Sequence, residues 1–530
     1  MGEARRRLAG LGPKELTVLC LYAALLALVI PHYQAWEDEG RAWTLVRSFG
    51  LFDAIFHMLR YEGHPALWYV VLWPFVALHM PFVFINWISA ACALAGVWFL
   101  LRFSPFPFYL RAVLPFGFWM AYEYAVVARS YALFPLLGFA VAQEYRRPER
   151  RPVRMAVWLA LLANLSVHAT IVAVAFAALY AWDLLRERRA GTAAWTLPEA
   201  RRAAAFFAAS LLFVAAVLWP PHDLKPPVSP KLGHAIQQLA PAAYKPEPCP
   251  IHRALCDEWA ERRRNLLESN GKLSLLRIAS SQPAEANLRA LNLGIGFGFI
   301  PFRERLRLVF VYPIASTAAL ALPLELLVFW LLWRRGRPAL ILGQLLLCAF
   351  IVEVYLKLWH TGLVWVTLIL LLWAVWDRAE AISFPRPAVT LQNGVAALLF
   401  LVALLQIPWT LAAVGFVRTH STYPAQAAAA YLKSLPPESR VDGFDHSSTV
   451  LPYLADDPFH LQADTLSVPA VLADRPDAIL FRDSTVSDSH LALLAAAGYT
   501  RSHSFCGTPF FPNQPLVPLC LVLLERPQML

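Results

Sequence analysis

The sequence predicts an α-helical polytopic membrane protein of about eleven transmembrane helices, followed by a C-terminal periplasmic α/β domain. Three observations carry this expectation. Of 530 residues, 58% are hydrophobic and only 15% charged, against roughly 45–50% and about 25% in an ordinary soluble domain. Mean hydropathy is +0.50. Apolar stretches of roughly 20 residues, the length a bilayer core requires, recur along the chain. This composition excludes a disordered chain and argues against a soluble enzyme.

Net charge is +10. The basic residues sit in short loops between apolar stretches, the pattern of loops retained in the cytoplasm. The bilayer is therefore the expected partner, and nucleic acid is not. Spans are expected at 14–31, 82–102, 111–127, 130–144, 154–166, 168–185, 203–220, 312–333, 338–357, 360–376 and 392–416. They place Arg5 to Arg7, Arg102 with Arg111, Arg146 to Arg154, Arg186 to Arg202, Arg334 to Arg337, and Arg378 with Arg386 on one side. The N-terminus is then cytoplasmic and the C-terminus periplasmic. The arginine- and alanine-rich usage suggests a bacterial inner membrane. No A-x-A cleavage site follows the first apolar run, which reads as an uncleaved first span.

Residues 64–79 are apolar enough to cross, but a crossing there would put Arg146, Arg147, Arg150 and Arg151 outside. Pro65, Pro74 and the Trp/Tyr content suit a re-entrant or interfacial segment. The alternative is a true span offset by another helix elsewhere.

Two domains are expected. Residues 1–418 form the transmembrane domain, with outer loops 32–80 and 221–307, and residues 419–530 form the outer α/β domain. In the latter, AQAAAAYLKSL reads as a helix, RVDGF, DAILFRD and CLVLLE as strands, and LALLAAAG as a helix ending at Gly498. The middle loop is Pro-rich, then helical around CDEWAERRRNLLES. Cys20, Cys92 and Cys348 fall in spans. Cys249 with Cys256, and Cys506 with Cys520, fall outside, where disulfides or free thiols are both open readings. No pair has zinc-site spacing with histidines.

The most informative stretch follows the first span: HYQAWEDEGRAW, then YEGHPALWYVVLWP. Glu37, Asp38 and Glu39 suit a base near the bilayer surface, or the acidic first turn of the helix that follows. Adjacent residues point in different directions, so at most one or two face a common site. His64-Pro65 is either a site element or a helix start. Arg129 is either a ligand or an interfacial arginine. Lys357 lies four residues after Glu353, and the two are able simply to pair. Glu123 and Glu325 are carboxylates within apolar spans, where such groups are costly.

The order of these elements resembles the GT-C superfamily of membrane glycosyltransferases. Closest is its polyprenyl-phosphate-sugar-dependent branch, with the protein O-mannosyltransferases and aminoarabinose transferases. Asp38-Glu39 match the family's Asp-Glu motif, and His64-Pro65-Ala66-Leu67-Trp68-Tyr69 its His-Pro-Pro-Leu-Tyr-like element, with Ala66 at the second proline. Arg129 and Tyr131 match part of a Glu-x-x-Arg-x-Tyr-like element, whose glutamate is absent at that offset, Glu123 lying six residues upstream of Arg129. His168, and Lys357 with His360, are also similar to family elements. The resemblance covers roughly the first 380 residues.

It implies a GT-C-like fold and a glycosyltransferase, inverting in type, on the outer face. A polyprenyl-phosphate-linked sugar is the implied donor, and a hydroxyl on a glycan, lipid or protein the acceptor. Asp38 is then the catalytic base with Glu39 as partner. Arg129, Lys357 and His360 hold the donor phosphate. His64, Tyr131, His168 and Glu37 are further site candidates. No cofactor and no metal are expected, since no second outer Asp-x-Asp pair lies near Arg129. A flippase or transporter for lipid-linked sugars, a polymerase or ligase, and a silent membrane scaffold are the competing readings. A transporter is expected to show paired halves, and no internal repeat is present.

Overall fold

The computed structural model describes residues 10–219, 302–353, 356–377 and 391–526, apart from 445–446, 464–467, 484–485, 487 and 515. Among them, six helices are long and apolar enough to cross a membrane: Pro13–His32, Phe84–Phe103, Val167–Arg189, Leu197–Leu218, Leu358–Val375 and Leu391–Thr419. The chain is thus a multi-pass helical membrane protein. In chain order the helices of the first domain are α1 (Pro13–Val29), α2 (Glu37–Asp53), α3 (Leu67–Ala77), α4 (Phe84–Phe103), α5 (Phe134–Tyr145), α6 (Pro152–Ala163), α7 (Val167–Arg189) and α8 (Leu197–Leu218). After the segment 220–301 come α9 (Ala318–Arg334), α10 (Pro338–Glu353), α11 (Leu358–Val375) and α12 (Leu391–Thr419).

Two expected spans differ in form, and the segment expected to be re-entrant or interfacial is a short helix. Residues 111–127 are not one helix. A short helix Phe108–Val113 gives way to a 3-10 turn at Leu114–Phe116 and a π turn at Trp119–Glu123. Pro115 removes an amide donor, and Gly117 is extended. Irregular backbone at membrane depth survives only where protein satisfies it. Here Tyr22 Oη donates to Met120 O at 2.6 Å and Asn86 Nδ2 to Val126 O at 2.9 Å. Residues 154–166 give only the 12-residue α6. Residues 64–79 give the 11-residue α3 with Pro74 inside it. At a rise of about 1.5 Å per residue it reaches about half of a roughly 30 Å hydrocarbon core.

α11 is the axis of the bundle, and every residue from Leu358 to Ala374 is buried. A helix apolar on all sides is stable only when surrounded. Gly362 makes this packing possible, because a Cβ there would collide with the Trp119 indole and the Tyr124 hydroxyl.

Three arginine-bearing loops meet at one end of the bundle. Asp183 on α7 pairs with Arg150 and with Arg337, and accepts from Tyr145 Oη at 2.8 Å. Arg150 also pairs with Glu187 at 2.8 Å. His168 lies at the other end of α7, about four turns away. The candidate site residues gather there.

The C-terminal domain begins after α12. Its helix α13 (Ala425–Leu432) precedes a five-stranded mixed sheet of β1 (Val441–Phe444), β2 (Phe459–Ala463), β3 (Ala478–Arg482), β4 (Thr500–Gly507) and β5 (Leu519–Glu525). Helix α14 (Val468–Asp474) lies between β2 and β3, and α15 (Asp488–Ala496) between β3 and β4. Strand order is β2-β1-β3-β5-β4, parallel over the first three and antiparallel at β5 and β4. β3 is buried on both faces. Ala478 and Leu480 pack with Ala428 and Leu432 of α13, while Ile479 and Phe481 pack with Val471 and Leu494. The three expected strands form, and β2 and β4 are additional. Gly498 takes φ +91° after α15, a backbone conformation that favours glycine. Cys506 and Cys520 form a disulfide. Cys249, Cys256 and most of the middle loop lie outside the described residues.

The two domains are sewn together at the start of α2. Gln34 Oε1 accepts from Thr422 N at 3.0 Å and Tyr423 N at 3.2 Å, while Gln34 N donates to Thr422 Oγ1 at 3.0 Å. Arg47 of α2 donates to Leu451 O and Leu454 O at 2.8 and 2.9 Å.

Candidate functional site

The three acidic residues opening α2 diverge as helical geometry requires. Glu37 turns to Arg41 one turn on, and the charges of this pair act on Tyr423 of the C-terminal domain. Asp38 turns into the bundle and pairs with Arg129. Glu39 is fully buried and accepts four hydrogen bonds: from Tyr33 Oη at 2.8 Å, Trp36 N at 2.6 Å, Asn86 Nδ2 at 2.7 Å and Ala128 N at 2.6 Å. Burial pushes the Glu39 carboxyl up to about 7, against the four donors, which pull it down. With two donors on each carboxyl oxygen, Glu39 is a structural fastener. It joins the α2 N-terminus to α4 and to the backbone beside Arg129, and so sets the distance between Asp38 and its partner.

Arg129 is the hub. It sits where the irregular stretch ends and the 3-10 turn Ser130–Leu133 begins. Its guanidinium carbon lies 5.8 Å from the Tyr131 ring and 5.8 Å from the Trp359 ring. Lys357, at the N-cap of α11, places Nζ 5.7 Å from the same Trp359 ring. Trp359 is held in turn by Trp36 at 5.0 Å between centroids, and Tyr124 Oη donates to its carbonyl at 2.7 Å. Behind Arg129, the rings of His168 and His360 lie 4.3 Å apart, with Tyr131 5.5 Å from His360 and 6.4 Å from His168.

Two clefts open on Arg129. One, of about 20 Å³, is lined by Asp38, Glu62, His64, Trp68 and Tyr69 with Arg129. The other, of about 30 Å³, is lined by Tyr33, Glu123, Trp359, Phe510 and Phe511 with Arg129. Each has room for little more than a water. The site holds no His/Cys/carboxylate group of metal-binding geometry among the described residues. The single such group, Asp442, His460 and Asp474, belongs to the C-terminal domain. Arg440 occupies it, donating to Asp474 at 2.5 Å.

The structure therefore brings together Asp38, His64, Arg129, Tyr131, His168, Lys357 and His360. Glu37 pairs with Arg41 instead, and Glu39 is enclosed beneath. Glu123, which sequence alone left unassigned, lines the cleft with Arg129. Its signal was a carboxylate in an apolar run. Trp359 had only its position between Lys357 and His360. Phe510 and Phe511 had none, being brought from the far end of the chain.

These features define the class: a multi-pass helical membrane protein whose C-terminal sheet domain stands over a buried ionic site. No protein-family model matches the chain, and no curated protein matches it in sequence.

Proposed function

We propose that this chain is a glycosyltransferase of GT-C type that moves a sugar from a polyprenyl phosphate to a hydroxyl acceptor. The Asp38–Arg129 pair, set between two clefts with His64 on one side and Trp359 and Lys357 on the other, carries the reading. A carboxylate and two cations are what the reaction needs. The acceptor oxygen attacks the anomeric carbon and its proton passes to Asp38. The bond from that carbon to phosphate oxygen breaks, and polyprenyl phosphate leaves with the electron pair. Arg129 and Lys357 offset the charge that develops there. A single displacement inverts the anomeric centre. Exposed apolar helix faces at the bundle surface serve the lipid tail. The eleven-span topology and the periplasmic orientation of the C-terminal domain belong to the same reading.

The test is transfer of radiolabelled sugar from a panel of polyprenyl-phosphate hexoses and pentoses by protein in lipid vesicles, with membrane extract supplying acceptors. Wild-type turnover abolished by Asp38→Asn supports the reading. Turnover that survives Asp38→Asn moves the base to another group. Saturable donor binding without turnover in wild type favours a transporter.

A further inference from the structure

The C-terminal domain supplies part of the site it stands over. β4 and β5 pair antiparallel with Cys506 opposite Cys520, and a disulfide joins the two. The connection between them leaves the sheet at this clamp. Its aromatic residues join neither core of their own domain. Phe511 is 5% exposed and belongs to the core of the helical bundle, and Phe510 packs against that same core. The Phe511 ring lies 6.4 Å from Trp359, and the Phe510 ring 5.3 Å from Phe416 of α12. Two hydrogen bonds hold the loop: Tyr312 Oη to Pro512 O at 2.9 Å, and Thr508 N to Ser421 O at 2.8 Å. Pro509, Phe510 and Phe511 thereby wall the cleft that contains Glu123, Arg129 and Trp359.

A loop of this length has no core of its own, and ordering it costs conformational entropy. Clamping its two ends with a disulfide lowers that cost. The result is an apolar wall, fixed by another domain, beside a buried guanidinium. Apolar walls at such sites expel water and strengthen the charges within.

We propose that Phe510 and Phe511 are specificity-determining residues that exclude water from the reacting sugar, so that the acceptor hydroxyl takes it. This rests on the glycosyl-transfer reading above. Water is the competing acceptor. Its oxygen bonds to the anomeric carbon, the carbon–phosphate-oxygen bond breaks, one proton passes to Asp38, and free sugar and polyprenyl phosphate result. The bonds broken are those of transfer, so only access decides between the two products.

The measurement is the ratio of free to transferred sugar in proteoliposomes with the same donor panel and membrane extract. It compares wild type, Phe510→Ala, Phe511→Ala, Phe511→Leu and Leu516→Ala. Leu516 lies on the same connection, is 53% exposed and is absent from the cleft wall, so it serves as the control. The ratio is expected to rise about tenfold in the alanine variants of Phe510 and Phe511, less in Phe511→Leu, and to stay at the wild-type value in Leu516→Ala. An unchanged ratio in Phe510→Ala and Phe511→Leu, with melting temperatures like wild type, overturns the proposal even if Phe511→Ala does not fold. Absence of both transfer and hydrolysis in wild type overturns instead the reading on which it rests.

Discussion

The carboxylate of Asp38 meets the guanidinium of Arg129 across 91 residues of sequence, with both side chains about seven-eighths buried. Asp38 comes from the first turn of α2, and Arg129 from the end of an irregular buried stretch. Removing one partner leaves the other charge poorly solvated, which costs more than the pair contributes as a unit. Asp38→Asn and Arg129→Gln are each expected to lower the melting temperature, and the double variant to lose less than their sum. A double-mutant cycle by thermal melting in detergent should give a coupling of about 1–3 kcal/mol. Strict additivity would mean that the pair is not formed in the folded protein.

Glu39 predicts a pH dependence of stability. Its folded carboxyl is raised to about 7 from an ordinary value of 4.5. Between these values the folded state holds a proton that the unfolded state has released. Its contribution to stability is therefore fully present below about pH 4.5, falls as pH rises, and is gone above about pH 7. The Glu39 contribution should be missing from Glu39→Gln, so the two melting-temperature curves should differ in slope across this window. Glu39→Gln should also be less stable throughout, by about 1–3 kcal/mol, because an amide turns its own donors toward groups that need an acceptor.

Gly362→Ala tests the packing beneath the site. The added methyl meets the Trp119 indole and the Tyr124 hydroxyl, and Tyr124 Oη donates to the carbonyl of Trp359. Overpacking of this kind costs about 1–3 kcal/mol. The expected result is a lower melting temperature together with weaker donor binding, read by titration with the lipid-linked sugar. Wild-type behaviour in both would show that α11 does not approach this closely.

Glu325 on α9 is 3% exposed, and its Oε1 has no hydrogen-bond partner among the described residues. An unsatisfied buried polar group is costly. Glu325→Leu is accordingly expected to raise the melting temperature. A fall would reveal a partner for the carboxyl in the working protein.

The Cys506–Cys520 bridge closes a short segment, 14 residues apart in sequence. Chain-entropy reasoning assigns a closure of this size about 3 kcal/mol. Cys506→Ser with Cys520→Ser should lower the melting temperature of the C-terminal domain, followed by hydrogen exchange at β4 and β5. Reductant should reproduce the shift in wild type and leave the double variant unmoved.

Much of this protein is written locally. Apolar length fixed the long helices, because hydrophobic thickness is a one-dimensional requirement. Alternation and turn residues marked β1, β3 and β5, whose side chains fill two opposite cores. β2 and β4 escaped because FHLQA and TRSHSFCG carry polar residues at an edge. The 111–127 break turned on where the backbone groups left without helical partners find them, and those of Met120, Val126 and Ala128 pair with Tyr22, Asn86 and Glu39, distant in sequence. Periodicity reports which residues share a face of one element. It carries no record of which faces meet. So the sequence by itself singled out Asp38, His64, Arg129, Lys357 and His360 as chemistry-bearing residues. Only the tertiary structure decided that Asp38 and not Glu37 faces Arg129, that Glu39 is a fastener, and that a loop from the last strands closes the cleft. The physical reason is that each of these depends on buried hydrogen bonds and close packing between segments far apart in the chain, which form only when the whole bundle is assembled.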